Sequence, residues 1–385
     1  MDSLYLDIGR AGCNKSGETI CGDFFYLIQQ PQQTTAVLSD GLGSGVKANI
    51  LSTLTSKIIS TLLSRGMPID DCVQTVASTL PMCSVRRLAY ATFTALKIQN
   101  GLAYLAQYDN PEVIFLRQGQ AYQYQKSVYF IGEKEIHESH VPLQEDDTLV
   151  LMTDGVTNAG IGKQQPHGWL RQDVIELLKR CYTPDVSAQQ LAATVVNAAM
   201  TLCLDEPDDD ITALVFRLRR RQAVNLIVGP PERRDEDDRI FKLFFAKTGL
   251  HVVCGGTTAR AVGKYLQKPV VPLSETLTQE VPAMARIEGV DLVTEGVITL
   301  QHVAQLLRAV QENGLQILNL HQRDGASALA RMLLEQASDV NFFLGMAINP
   351  AHDALAIDVQ EKHAAVNEIA QILGEMGKNV KCSLC

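Results

Sequence analysis

The chain has 385 residues, 46% hydrophobic and 20% charged, enough for ordinary buried cores in two or three domains and unlike a disordered profile. Its net charge of -9 argues against a protein that grips nucleic-acid backbones, which needs a basic face. No apolar run reaches the roughly 20 residues that cross a bilayer, and Met1-Asp2-Ser3-Leu4 lacks the basic-then-apolar order of a secretion signal. Nine cysteines in that setting read as reduced thiols, most of them small buried apolar residues. A cytoplasmic chain with no nucleic-acid or membrane partner is expected.

Residues 3–30 read as two strands joined by a turn around Asn14-Lys15-Ser16-Gly17, and 34–40 as a third. Over 46–63 the residues Ile50, Leu51, Leu54, Ile58, Ile59, Leu62 and Leu63 recur at three- and four-residue steps, which predicts a helix with that face inward. A second helix follows Pro68, with Ile69, Val73, Val76 and Leu80 inward and Pro81 at its end. Residues 90–98 alternate as a strand, Asn100-Gly101 is a hairpin turn, and 102–108, 113–117 and 121–125 continue the meander. Residues 148–153 form a buried strand, 168–181 and 187–203 are helical, and 211–218 is a last strand. Antiparallel strands with helices in two pairs predict a four-layer αββα sandwich of two sheets over residues 1–218.

Phe216-Arg217-Leu218-Arg219-Arg220-Arg221-Gln222 reads as a solvated boundary. Beyond it, strands at 224–228, 251–254, 290–293, 342–348 and 354–359 alternate with helices at 239–247, 255–266, 299–310, 326–336 and 364–376. That alternation predicts a largely parallel sheet, hence a Rossmann-like α/β domain over 223–385 with a sensory, ligand-binding or docking role.

Four aspartates sit at the ends of strand-like runs. They are Asp23 in Cys21-Gly22-Asp23, Asp40 in Ser39-Asp40-Gly41-Leu42-Gly43-Ser44-Gly45, Asp154 in Thr153-Asp154-Gly155, and Asp209 before Asp210-Ile211-Thr212. Asp-Gly pairs are common in turns, so the residues alone leave two readings open, unrelated turn acids or one carboxylate cluster. An all-oxygen cluster suits Mg²⁺ or Mn²⁺ and does not select zinc. Two such ions about 4 Å apart can clamp a phosphoryl oxygen and sharpen a water, with no Ser, Cys or His nucleophile.

Taken in order, Gly22-Asp23, the Asp40 stretch, Thr153-Asp154-Gly155-Val156-Thr157-Asn158 and Asp209-Asp210-Ile211-Thr212 resemble the motifs of the metal-dependent serine/threonine protein phosphatase (PPM) family, in its bacterial SpoIIE-like branch. The resemblance spans about residues 3–218. It implies two antiparallel sheets flanked by helix pairs and hydrolysis of phosphoserine or phosphothreonine. It implies that Asp40 bridges two Mn²⁺ or Mg²⁺ ions and that Gly41 ligates one through its carbonyl. Asp154 and Asp209 would bind the first ion and Asp23 the second, with Asp40, Asp154 and Asp209 as the catalytic set. A hydroxide bridging the ions would attack phosphorus in line. The resemblance also implies a signalling or stress-response role on a phosphorylated regulatory partner, of the anti-sigma-factor antagonist (STAS) type.

Some positions depart from the wider family. Leu42 stands where many eukaryotic members carry a histidine thought to protonate the leaving group, as is usual in this branch. Asn158 replaces an acid of a third ion site, and Asp109 in Tyr108-Asp109-Asn110-Pro111 reads better as a turn residue. Arg10 and Lys15 are candidate substrate contacts, with solvated surface the simpler reading.

In the second half, Gly255-Gly256-Thr257-Thr258 follows a strand and opens a helix, where it could hold a small anionic ligand or be a Thr-capped turn. Thr294-Glu295-Gly296-Val297-Ile298-Thr299 is a similar turn that a parallel sheet would bring to the same edge. Cys382-Ser383-Leu384-Cys385 could share a metal, close a redox pair or be an inert tail. Two rival functions remain at this level, a phosphatase-fold binding module without turnover and a metal-dependent hydrolase of small phosphoesters.

Overall fold

The computed structural model describes residues 4–80, 91–231, 236–313, 322–346 and 355–385. Ser3, Pro81, Tyr90, residues 347–348 and Ala354, used above as element ends, lie outside the described residues. The chain divides into two units, Met1–Arg220 and Arg221–Cys385. None of its described helices is long and apolar enough to cross a membrane.

The first unit runs β1 (Leu4–Cys13), β2 (Asp23–Gln30), β3 (Gln33–Asp40), α1 (Gly45–Ser64), α2 (Ile69–Thr79), β4 (Thr92–Gln99), β5 (Leu102–Tyr108), β6 (Ile114–Arg117), β7 (Gln120–Ala121), β8 (Ser127–Ile131), β9 (Lys134–Pro142), β10 (Asp147–Met152), α3 (Asp154–Thr157), α4 (Arg171–Cys181), α5 (Ala188–Leu202) and β11 (Ile211–Arg220). Its strands form two antiparallel sheets, ordered β2-β3-β4-β5-β9-β8 and β1-β11-β10-β6-β7. Strand alternation sorts the side chains. Leu38, Leu96, Leu105, Phe115, Leu151, Leu214 and Phe216 fill the space between the sheets, while Val37, Phe93 and Ala95 face α1 and α2. α5 covers β1 and β11 on the opposite side. Its start is fixed by a capping box, in which Ser187 Oγ accepts from Gln190 N and Gln190 Oε1 from Ser187 N, each at 3.0 Å.

Several expectations are corrected. In α1, Ile59 and Leu63 are buried as expected, but Ile50 and Leu54 are exposed, and Ala48, Ser52, Thr55 and Ser56 take the buried face. The cause is close approach: a Cβ on Gly41 would stand 2.0 Å from Ala48 O, so only small side chains fit beneath this half of the helix. Ser52 and Ser56 bond back to the carbonyls of Asn49 and Thr53. Residues 121–125 do not extend the ladder beyond Ala121. Their alternating tyrosines instead meet Phe115 edge to face, with ring centroids 5.1 Å away for Tyr122 and 6.3 Å for Tyr124. The β8–β9 hairpin had no expected counterpart. The basic run is not solvated throughout, because β11 continues to Arg220 and Arg217 is fully buried. The Arg217 guanidinium donates to Pro184 O at 3.0 Å and Asp146 Oδ1 at 3.2 Å, and to Val186 O.

The second unit runs β12 (Ala223–Val228), α6 (Asp237–Phe245), β13 (Leu250–Cys254), α7 (Gly256–Leu266), β14 (Val271–Leu273), β15 (Met284–Arg286), β16 (Leu292–Thr294), α8 (Val297–Asn313), α9 (Gly325–Arg331), β17 (Asp339–Leu344), α10 (Leu355–Glu375) and β18 (Asn379–Leu384). Its one mixed sheet is ordered β14-β15-β16-β13-β12-β17-β18, with β16 to β18 mutually parallel. One face packs on α8, α9 and α10 through Leu300, Leu307, Leu329, Val366 and Ile369. The other packs on α6 and α7 through Phe241, Phe244 and Val262. The described part of the expected strand at 354–359, from Leu355 on, is instead the start of α10, a run of helix formers unbroken by glycine until Gly374. The tail is not frayed, because β18 pairs in parallel with β17 from Asn379 to Leu384.

Replacing Ile59 with Ala is expected to destabilise the first unit by about 2–5 kcal/mol, whereas Ile50→Ser should change it by no more than about 0.5 kcal/mol. Urea unfolding followed by the fluorescence of Trp169, the chain's one tryptophan and buried in this unit, checks both.

Candidate metal centre

β2 and β3 pair so that Asp23 and Asp40 lie directly opposite one another at one end of their sheet. The Asp23 carboxylate is buried and accepts from the Thr153 hydroxyl at 2.8 Å. Thr153 Oγ1 in turn accepts from Thr212 N at 3.1 Å. Both threonines belong to the other sheet's ends, so this chain of bonds ties the two sheets together where the acids stand. Asp154 follows as the first residue of α3, with its Oδ2 accepting from the Asn158 side-chain amide at 3.2 Å. Asp209 Oδ1 accepts from Asp210 N at 2.9 Å, just before β11. The structure thus brings Asp23, Asp40, Asp154 and Asp209 to one end of the sandwich.

Their electrostatics follow from crowding. Burial, first, and then the charges of Asp23, Asp154 and Asp209 hold Asp40 well above the usual carboxylate range. Asp23 is raised by burial and by Asp210 and Asp209, against the lowering bonds from Thr212 and Thr153. Asp209 is raised by burial and by Asp154, while Lys15 opposes the rise. Among the described residues no three His, Cys, Asp or Glu groups form a closed ligand set. Asp154 Oδ1 is nonetheless buried and without a hydrogen-bond partner. An unpartnered carboxylate oxygen beside the raised carboxyls of Asp40 and Asp209 fits a hard divalent cation, which prefers oxygen ligands.

Asp210 was not singled out from the sequence as a site residue. It is buried, and its two oxygens accept from Lys15 N at 2.9 Å and Gly22 N at 2.8 Å, which fixes the segment leading into Asp23. Its position beside Asp209 was the only signal available. Gly41 and Gly155 are glycines for space: a Cβ at either would come within 2.0 Å of a backbone oxygen, of Ala48 or of Asp210. Asp109 sits exposed in a left-handed turn at φ 54°. Arg10 lies over the Phe25 ring at 5.5 Å. Leu42 is exposed and offers no proton.

Residues 30–219 match the family model of stage II sporulation protein E (SpoIIE). This unit is a SpoIIE-family domain. Stage II sporulation protein E of Bacillus subtilis (strain 168) is 22% identical over 222 residues, covering 56% of this chain and 26% of that protein. The chain therefore spans about a quarter of the length of that relative. The solved PP2C phosphatase domain of that protein, with a fragment of its regulatory domain, superposes with a TM-score of 0.48 at 21% identity, over 57% of this chain and 63% of that one. The phosphoserine phosphatase RsbX of Bacillus subtilis (strain 168) is 24% identical over 173 residues, 43% of this chain and 82% of that protein. Its crystal structure in complex with magnesium superposes with a TM-score of 0.41 at 18% identity, over 55% of this chain and 95% of that one.

The other candidate residues belong to the second unit. Gly255 turns at φ 111°, Gly256 opens α7 with its N–H on Glu295 Oε2 at 3.2 Å, and Thr257 Oγ1 accepts from Arg260 at 3.5 Å. Cys382 lies in β18 and Cys385 follows its last residue, three residues on along extended backbone, about 10 Å at ~3.3 Å per residue. A disulfide needs Cα atoms within about 7 Å, so in this extended form the motif does not close one.

Raised carboxyls in the SpoIIE-family unit favour folding below their unfolded values and weaken it as pH rises through the folded ones. The melting temperature measured in chelator is expected to fall between pH 5 and pH 8, and added Mn²⁺ to raise it more at pH 8 than at pH 5. Asp40→Asn should raise the chelator value at pH 8 and abolish the Mn²⁺ shift; calorimetry showing an equal shift in that variant would refute the cluster.

Proposed function

We propose that the SpoIIE-family unit is a metal-dependent phosphoprotein phosphatase that hydrolyses phosphoserine or phosphothreonine on a regulatory protein. The observation that carries this reading is the meeting of Asp23, Asp40, Asp154 and Asp209 around the unpartnered Asp154 Oδ1, within the segment that the family model covers. Asp40, Asp154 and Asp209, the Gly41 carbonyl and Asp23 would hold two Mn²⁺ or Mg²⁺ ions. When bound, such a pair supplies Lewis-acid polarisation of a phosphoryl oxygen and an acidified water.

The chain's own groups set the geometry. Thr153 orients Asp23, and Asp210 clamps the segment before it. Lys15, close enough to Asp209 to lower its pKa, brings positive charge to the edge a phosphoryl group would approach. With Leu42 after Gly41, leaving-group protonation falls to solvent. The substrate class is supported by the name of the relative RsbX, a phosphoserine phosphatase. We place the partner among phosphorylated STAS-type regulators and the reaction in the cytoplasm. The second unit we read as Rossmann-like, because its parallel strands lie in the order β16-β13-β12-β17-β18, or 3-2-1-4-5 in chain order.

Hydrolysis of p-nitrophenyl phosphate and of a phosphorylated STAS-domain protein with Mn²⁺ tests the proposal. Asp154→Asn should lower kcat by a factor of about 10² or more while the fold persists, since it removes a charged donor at the reacting centre. Full activity in a folded Asp40→Ala or Asp154→Asn variant removes the assignment, and faster turnover of small phosphoesters than of any phosphoprotein redirects it.

A further inference from the structure

In the second unit, four neighbouring parallel strands run into glycine: β16 into Gly296, β13 into Gly255, β12 into Gly229 and β17 into Gly345. Backbone bonds link these ends in a row, Gly255 N to Thr294 O at 2.8 Å, Gly229 N to Cys254 O at 3.4 Å and Gly345 N to Val228 O at 2.9 Å. This is the carboxyl edge, where open α/β sheets bind ligands. Between β12 and β17 the edge is filled. A Cβ on Gly345 would stand 2.1 Å from Pro230 O, and Lys362 Nζ donates to Gly345 O at 2.8 Å. Between β13 and β16 the turns are less crowded: a Cβ on Gly296 would meet only Gly255 Cα, in ordinary contact at 3.7 Å, and the gap holds the Glu295 side chain, 2.9 Å from where a Gly256 Cβ would be.

The helices leaving that gap share a feature. The third residue of α7 is Thr258 and the third of α8 is Thr299, 1% and 0% exposed. Neither hydroxyl has a hydrogen-bond partner among the described residues. Thr258 Oγ1 lies against the turn, 3.2 Å from where a Gly255 Cβ would be. A buried hydroxyl is costly to leave unmatched, and two at equivalent places beside touching glycine turns point to an acceptor or donor from outside the chain. The sign of that group is indicated by Glu295, whose exposed carboxylate already takes the Gly256 N–H at the start of α7. Arg260 adds positive charge, with its guanidinium 3.5 Å from Thr257 Oγ1.

We propose that the Gly255-Gly256-Thr257-Thr258 turn binds the phosphate group of a small phosphorylated ligand, and that Glu295 is a placeholder displaced on binding. A phosphate offers several acceptor oxygens where the carboxylate satisfies one amide, so it can engage Gly256 N, the Thr258 hydroxyl and Arg260 together. This does not depend on the phosphatase reading of the first unit.

The experiment uses the full chain carrying Asp154→Asn, in EDTA, so that the first unit's acids do not report. Inorganic phosphate, ribose 5-phosphate and adenosine diphosphate are titrated by calorimetry, with the Gly255 and Gly256 amides followed by NMR. Saturable binding that shifts these amides is expected, and the tightest of the three probes defines the ligand class. Glu295→Gln should tighten binding several-fold by removing the competing charge. Thr258→Val should weaken it about tenfold without lowering the melting temperature, because the lost hydroxyl has no partner among the described residues. No binding of any probe at millimolar concentration to the Asp154→Asn chain or to its Glu295→Gln derivative overturns the proposal. So does binding that Thr258→Val leaves unchanged.

Discussion

Repulsion between buried carboxyls is the constraint around which the first unit is arranged. Burial first, and then the charges of neighbouring acids, hold Asp23, Asp40 and Asp209 above the usual carboxylate range, and their own strands offset little of this. The surrounding structure does so instead. Thr153 links Asp23 to the backbone of Thr212, Asp210 takes two amides of the loop before Asp23, and Gly41 and Gly155 let the main chain approach to distances no side chain would allow. The two-sheet core supplies the rigidity that keeps these contacts in place against the repulsion.

The same approach explains the form of α1. A helix pressed against the Asp40 loop cannot carry leucine or isoleucine on the pressed side, so Ala48, Ser52, Thr55 and Ser56 lie inward. Periodicity marked α1 as a helix but pointed to the wrong face for its first half. Apolar spacing reports the average preference of a helix, and the site's demand for space overrode it there. The acids themselves were legible because each sits at a strand end in a motif with fixed neighbours. Their convergence was not, since register between distant strands is a tertiary property. Asp210 was hidden by its neighbour Asp209, and only hydrogen bonds distinguish the two.

In the second unit, alternation of strands and helices was readable, while β14, β15 and β18 were not. β14 and β15 have three residues each and only half-buried or exposed side chains, and β18 is exposed on nearly all its positions, so none shows an inward face. The strand at 354–359 failed for the opposite reason. Its β-branched residues looked extended in isolation, but they are continuous with a long stretch of helix formers.

The extended form of β18 also bears on handling of the protein. Cys382 is exposed while Cys385, just past the strand's end, packs against the Phe244 side of the sheet, and the extended backbone between them keeps the two thiols apart. Air oxidation therefore cannot close a ring within that motif, and the covalent outlet left to Cys382 through it is another molecule. Dimers seen in preparations kept without reductant would then record the history of the sample, not a native assembly.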